Sequence, residues 1–313
     1  MPINRISSVI PMLATAFVAL LLISCAGEQE QPAEAETESQ ATSTFNFENI
    51  QDTTDVVARA TGLSGPESVR YDPGQDVYFV ANFNGPGGER DANGFISKVG
   101  PDGAVQDLEF MTGTESAPMH APRGMYITGD TLWVADADGV HGFNRTTGEH
   151  VTFVDFTSLE PGFLNDVAEG PDGALYVTDT GQSRLYKIEN GEASVVQDDL
   201  PHAPNGITVD ESSGLLLLCP WGGARTFYGW NPATTTLEEV RELDSGGDFD
   251  GIELVNGSWV VSSQVDSTIK VDGQTIIRTP GDPADIGIDT QRMRVAVPYI
   301  ALNKVEIWAL PIE

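Results

Sequence analysis

One short phrase recurs six times along the 313-residue chain, and it restricts the fold more than any other feature. The copies are Pro66-Glu67-Ser68-Val69, Pro122-Arg123-Gly124-Met125, Leu164-Asn165-Asp166-Val167, Pro204-Asn205-Gly206-Ile207, Phe249-Asp250-Gly251-Ile252 and Pro283-Ala284-Asp285-Ile286. Aligned at the second residue they fall at 67, 123, 165, 205, 250 and 284, with gaps of 56, 42, 40, 45 and 34 residues. That spacing is close to the length of a four-stranded propeller blade. A ring of such repeats turns equivalent positions toward one axis. The aligned side chains therefore form a set: Glu67, Arg123, Asn165, Asn205, Asp250 and Ala284.

The order within each repeat supports the same reading. In the third, a polar residue opens a strand over 165–169, Gly170-Pro171-Asp172-Gly173 turns the chain, and strands are expected over 174–178, 183–189 and 193–196. Runs such as Leu132-Trp133-Val134-Ala135 and Leu175-Tyr176-Val177 are apolar at consecutive positions, as strands buried on both faces are. Asn190-Gly191, Asn256-Gly257 and Asp272-Gly273 suit tight hairpins. Blade six offers only three strands before the chain stops. A segment over 55–60 is expected to supply the fourth, closing the ring and covering its edge. The fold class is all-β: a six-bladed β-propeller of four-stranded blades, its last blade closed by an N-terminal strand.

The net charge of -31 excludes nucleic acid as a partner, since that role needs a basic footprint. At the N-terminus, Arg5 precedes an apolar stretch over 9–23, too short for a bilayer-spanning helix and interrupted by Pro11. It ends in Leu22-Ile23-Ser24-Cys25, which resembles a bacterial lipobox. That resemblance implies cleavage before Cys25 and lipidation of its thiol; an ordinary cleaved signal is the competing reading. Ala26 in place of Asp favours the outer membrane. Residues 1–24 are thus assigned as a lipoprotein signal, 25–50 as a disordered acidic tether, its stretch from 26 to about 45 holding no hydrophobic cluster, and 51–313 as the propeller. The expected partners are a small-molecule substrate and a membrane reached through the lipid; no obligate protein partner is expected. Cys219 lies in Leu215-Leu216-Leu217-Leu218-Cys219 and reads as a buried, unpaired thiol.

Glu67, Asn165, Asn205 and Asp250 offer only oxygen donors, which suits a hard cation, calcium before magnesium. A competing reading exists for single members: Asn or Asp ahead of Gly is often just a turn. Four oxygen-bearing residues at one repeat position favour the metal set. Gly65-Pro66-Glu67, Leu164-Asn165-Asp166, Pro204-Asn205-Gly206 and Asp250-Gly251 together resemble the gluconolactonase and regucalcin group of six-bladed propellers, over roughly 56–310. The resemblance implies one calcium or similar divalent ion held by Glu67, Asn205 and Asp250. Asn165 would be a fourth ligand or a substrate contact, and Asp250 the candidate base or nucleophile for hydrolysis of a lactone or ester. Two departures stand out. Phe163 occupies the place of a sugar-contacting arginine, and Arg123 stands where paraoxonase-type relatives have a histidine.

Arg123 is expected either to grip a substrate carboxylate or phosphate, or to pair with Asp166 or Asp285. Asp166, His120, Trp221 and Tyr299 are further candidates for lining the substrate mouth. Gln264 lies at another second-strand end, and the Gly- and Asn-rich segment 82–93 is a candidate lid. The alternative to an enzyme is a non-catalytic ligand-binding propeller braced by the same metal.

Overall fold

The computed structural model describes residues 44–312. The described residues fall within one compact unit. The signal segment and the lipidation site expected at Cys25 lie outside the described residues.

Twenty-four strands form six four-stranded antiparallel sheets. β1 (Val56–Thr61) comes first and is set aside for the last sheet. Blade one is β2 (Pro66–Asp72), β3 (Val77–Asn82), β4 (Phe95–Val99) and β5 (Val105–Thr112). Blade two is β6 (Met125–Thr128), β7 (Thr131–Ala135), β8 (Gly139–Asn144) and β9 (His150–Asp155). Blade three is β10 (Leu164–Glu169), β11 (Leu175–Asp179), β12 (Arg184–Glu189) and β13 (Glu192–Gln197). Blade four is β14 (Pro204–Asp210), β15 (Leu215–Pro220), β16 (Thr226–Asn231) and β17 (Thr236–Glu242). Blade five is β18 (Phe249–Val255), β19 (Ser258–Ser263), β20 (Thr268–Val271) and β21 (Gln274–Arg278). Blade six is β22 (Gly287–Asp289), β23 (Arg294–Tyr299) and β24 (Lys304–Ala309), completed by β1, which pairs antiparallel with β24. The expected closure by an N-terminal strand is observed. The chain is already paired ahead of β1, where Phe45 bridges Ile312 and the Asn46 N–H donates to Pro311 O at 2.7 Å.

The second strand of each blade is apolar on both faces because it is clamped between two blades. In β3, Val77, Phe79 and Ala81 pack toward blade two, while Tyr78 and Val80 pack toward blade six. In β15, Leu216 and Leu218 face blade three, and Leu215, Leu217 and Cys219 face blade five. Successive strand residues point to opposite faces, so an unbroken apolar run serves two interfaces at once. Six hydrophobic clusters result, one between each pair of neighbouring blades. Cys219 is fully buried and free, as its surroundings in the sequence predict. The hairpin signals hold as well: Asn190 and Gly191 have φ of 54° and 79°, the left-handed pair that a two-residue turn of this hand needs.

Candidate functional site

The repeated phrase sits where each blade begins at the axis, and a chain of contacts joins one copy to the next. Asp285 N–H donates to Glu67 O at 2.9 Å, joining blade six to blade one. Arg70 Nε donates to Met125 O at 2.7 Å, joining one to two. Gly124 N–H donates to Asn165 O at 2.9 Å, joining two to three. Thr178 Oγ1 donates to Asn205 O at 2.6 Å, and Ile207 N–H donates to Asp166 Oδ2 at 2.8 Å, joining three to four.

Between blades four and five, and five and six, the approach is closer still. A Cβ on Gly206 would lie 2.2 Å from Asp250 O, and one on Gly251 would lie 2.5 Å from Asp285 Oδ1. These glycines are inside β14 and β18 and do not have positive φ. Asn205-Gly206 and Asp250-Gly251 are therefore not turns. The glycine is required because the next blade's chain occupies the space a side chain would need.

Glu67, Asn165, Asn205 and Asp250 are each 3 % exposed, so the axis is packed around them rather than open. Neighbours set the orientation of Asn165 and of Asp250. Thr180 Oγ1 gives its one proton to Pro204 O at 2.7 Å, so toward Asn165 it can only accept. It takes the Asn165 Nδ2 proton at 3.0 Å, which turns the amide nitrogen outward and the oxygen away from Thr180. Gln264 Nε2 donates to Asp250 Oδ2 at 2.7 Å. Glu67 Oε2, Asn205 Oδ1 and Asp250 Oδ1 are buried without a hydrogen-bond partner. An unpaired buried acceptor is costly, and native structures hold few of them. Three at the same repeat position form a concentrated set of unmet oxygen donors.

Electrostatics reinforces this. Burial, then the nearby Asp250 and Asp285, push the Glu67 carboxyl well above its ordinary range, partly opposed by Arg123. Burial and Asp285 do the same to Asp250. Burial raises Asp285 to about 6 against the pull of Arg70. Asp166 is also raised, by burial and then by Asp285. Carboxylates crowded in this way favour a cation among them. Among the described residues no group of three or more His, Cys, Asp or Glu is placed to hold a metal ion. The ring instead combines two carboxylates with two amides, an all-oxygen donor set suited to a hard divalent ion.

The loops that present the ring are pinned by one recurring device. The last polar residue of a second strand, or the residue just after it, accepts N–H groups from the segment leading into the blade. Asn82 Oδ1 takes Ser64 N–H at 3.0 Å. Asp136 takes His120 and Ala121 N–H at 2.8 and 2.6 Å. Asp179 takes Gly162 and Phe163 N–H at 2.9 and 2.7 Å, and Ser263 Oγ takes Gly247 N–H at 3.1 Å. Neither this device nor the role of Thr180 is expected from the sequence. A polar residue at or just past the end of the apolar second strand in blades one, two, three and five is the signal that could have revealed the first.

The other candidates are placed as follows. Asp166 lies under the ring as a clamp, accepting Val167 N–H at 2.7 Å as well as Ile207 N–H. Arg123 pairs with neither Asp166 nor Asp285. Its Nη1 donates to Leu164 O at 3.0 Å and its Nη2 to Gly87 O, and its guanidinium lies 3.7 Å over the Phe163 ring. His120 is buried and accepts Ala92 N–H on Nδ1 at 3.0 Å, so it anchors segment 83–94. Trp221 is half-buried just past β15, its backbone N–H donating to Ala203 O at 2.8 Å. Tyr299 is 1 % exposed in the apolar cluster between blades five and six, with Trp308, and is not brought to the ring. Deeper along the axis, Arg70 of blade one forms a short ion pair with Glu253 of blade five.

No protein-family description matches this chain, and no curated protein matches it. Solved structures do share its fold. A calcium-binding protein, regucalcin, from Agrobacterium tumefaciens superposes with a TM-score of 0.61 at 17 % identity, over 84 % of this chain and 96 % of that one. A gluconolactonase from Xanthomonas campestris gives 0.60 at 18 % identity, over 82 % and 88 %. Virginiamycin B lyase from Staphylococcus aureus gives 0.55 at 13 % identity, over 80 % and 98 %. The fold is thus that of the gluconolactonase and regucalcin propellers, and a lyase uses it too. At these identities the likeness concerns the fold, and chemistry must be argued from the site.

Proposed function

We propose that the protein is a calcium-dependent hydrolase of a small lactone or ester, exported and tethered to the outer membrane through a lipid on Cys25. The observation that carries the reading is the set of buried, unpartnered oxygens on Glu67, Asn205 and Asp250. The donor set fits a divalent ion: Glu67, Asn165, Asn205 and Asp250 would hold it, and the two carboxylates would balance its charge. Bound there, calcium would act as a Lewis acid toward a substrate carbonyl.

The chain's own groups then do the following. Gln264 fixes one oxygen of Asp250 and leaves Oδ1 facing the site. Asp250, as general base, takes a proton from water while the water oxygen adds to the acyl carbon. Collapse of the adduct breaks the acyl C–O bond. The departing alkoxide recovers the proton from Asp250, and a hydroxy acid is released. Thr180 keeps the Asn165 oxygen aimed away from the loop throughout.

A second reading, a binding propeller with the ion as a brace, is favoured by the near-complete burial of the ring. One experiment separates the two. Full-length protein is assayed against a lactone and ester panel in calcium and in EGTA. Turnover that disappears on chelation, returns with calcium and is absent in Asp250→Asn supports the hydrolase. Full turnover in excess EGTA removes the ion from the mechanism. Tight calcium binding with no turnover of any panel member supports the brace.

A further inference from the structure

Arg123 is the only arginine among the buried charged side chains of the described residues, at 1 % exposure. It takes part in none of the ion pairs of those residues. A buried charge without a partner is expensive, so its retention calls for a reason. The carboxylates in its field are Glu67, Asp136 and Asp179. Asp136 and Asp179 have committed their oxygens to backbone N–H groups and cannot close on it.

The hydrogen-bond pattern of the guanidinium is informative. Nη1 is tied to Leu164 O at 3.0 Å, which fixes the group on blade three. Stacking on Phe163 at 3.7 Å, with Phe83 at 5.7 Å, fixes its plane. Nε and Nη2 share the remaining edge, the edge that receives a carboxylate through two parallel N–H···O bonds. Here Nη2 holds the carbonyl of Gly87, whereas Nε is buried with no partner. Half of a two-pronged anion receptor is filled by a loop carbonyl and the other half is unfilled.

We propose that Arg123 is the substrate-anion receptor of this site, and that the substrate is a small lactone or ester carrying one carboxylate. This rests on the hydrolase reading of the ring. The carboxylate displaces Gly87 O from Nη2 and completes Nε, while the acyl group lies toward Glu67, Asn205 and Asp250. Arg123 occupies the blade-two position of the same ring and lies close enough to Glu67 for each charge to act on the other, so one small molecule can meet both.

The ends of segment 83–94 are pinned, Phe83 N–H donating to Gly65 O at 3.0 Å and Ala92 N–H to His120 Nδ1 at 3.0 Å, and Gly87 lies in the span between them. A cleft of about 560 Å³ lies between the segment's Asn84, Ala92 and Asn93 and the Thr112–Met119 stretch. Gly87 is glycine because a Cβ there would sit 2.6 Å from the Phe83 ring, so only a bare backbone brings its carbonyl to Arg123.

The test uses full-length protein and a probe with no hydrolysable bond, tetrahydrofuran-2-carboxylate, beside its neutral carboxamide. Calorimetric titration in calcium should show the acid binding about 10- to 100-fold tighter than the amide, the range for hydrogen bonds to a charged group. Arg123→Met should abolish that preference, and Arg123→Lys should keep part of it. Equal affinity for acid and amide in the unaltered protein overturns the proposal, and that comparison needs no variant to fold. So does a preference that survives Arg123→Met. A parallel kinetic assay on γ-butyrolactone-γ-carboxylate and its carboxamide separates the two readings. If neither is hydrolysed while the acid still binds through Arg123, the receptor stands and the hydrolase falls. If both are hydrolysed equally well in calcium, the hydrolase stands and the receptor falls.

Discussion

Asp285→Asn in the metal-free protein tests the electrostatic reasoning at its most quantitative point. Asp285 is 3 % exposed, accepts Ser68 Oγ at 2.6 Å, and is raised by burial from 3.8 to about 6. A carboxyl whose folded pKa is raised favours folding in its protonated state. Its contribution is fully present below the unfolded pKa near 3.8 and is lost as pH climbs through about 6. One pH unit corresponds to ~1.4 kcal/mol, so the most this group can withdraw between pH 4 and 7 is about 3 kcal/mol. Sharing of the proton with Asp166 and Asp250 will reduce what is seen at one site. Asparagine keeps the shape and can still accept from Ser68, but it does not ionise. Guanidinium unfolding in EGTA at pH 4, 5, 6 and 7 should therefore show the variant gaining on the unaltered protein as pH rises, by about 1–3 kcal/mol across the series. Parallel stability curves for the two proteins would show that the inner carboxylates are not forced together as described.

Two further substitutions test the geometry. Gly206→Ala places a carbon 2.2 Å from Asp250 O and should lower stability by about 1–3 kcal/mol in a denaturant melt, with calcium affinity also reduced. Melting unchanged within error would contradict the close approach of blades four and five. Thr180→Val removes the group that orients Asn165, and calcium affinity should fall about 10- to 100-fold while the melt in EGTA moves little.

The repeated phrase was legible because two constraints act on it at once. One side chain must reach the axis, and the following residue must tolerate the next blade. The turn reading of Asn205-Gly206 and Asp250-Gly251 competed because sequence alone cannot tell a glycine needed for φ from one needed for space. Asn190-Gly191 is the first kind and Gly206 the second. The repeat marks Arg123 as a ring residue but does not reveal its binding to backbone carbonyls, since a carbonyl partner leaves no mark in side-chain identity. The position of Tyr299 at a strand end points to the mouth. The alternation of β23 sends it into the core between blades five and six. Thr180 acts through a single hydroxyl in a connecting segment, where serine and threonine are too common to be distinctive.

The pairing of β1 with β24 joins Val56 to Trp308, in the first and last strands of the propeller. Its first strand must wait for the final one before the circle can shut, whatever the order in which the intervening sheets form. Until then β1 has no neighbour, and the contact of Asp285 with Glu67 across the seam lacks its frame. Competence at the axis should thus come late and all together, and a chain truncated before β24 should retain little of it.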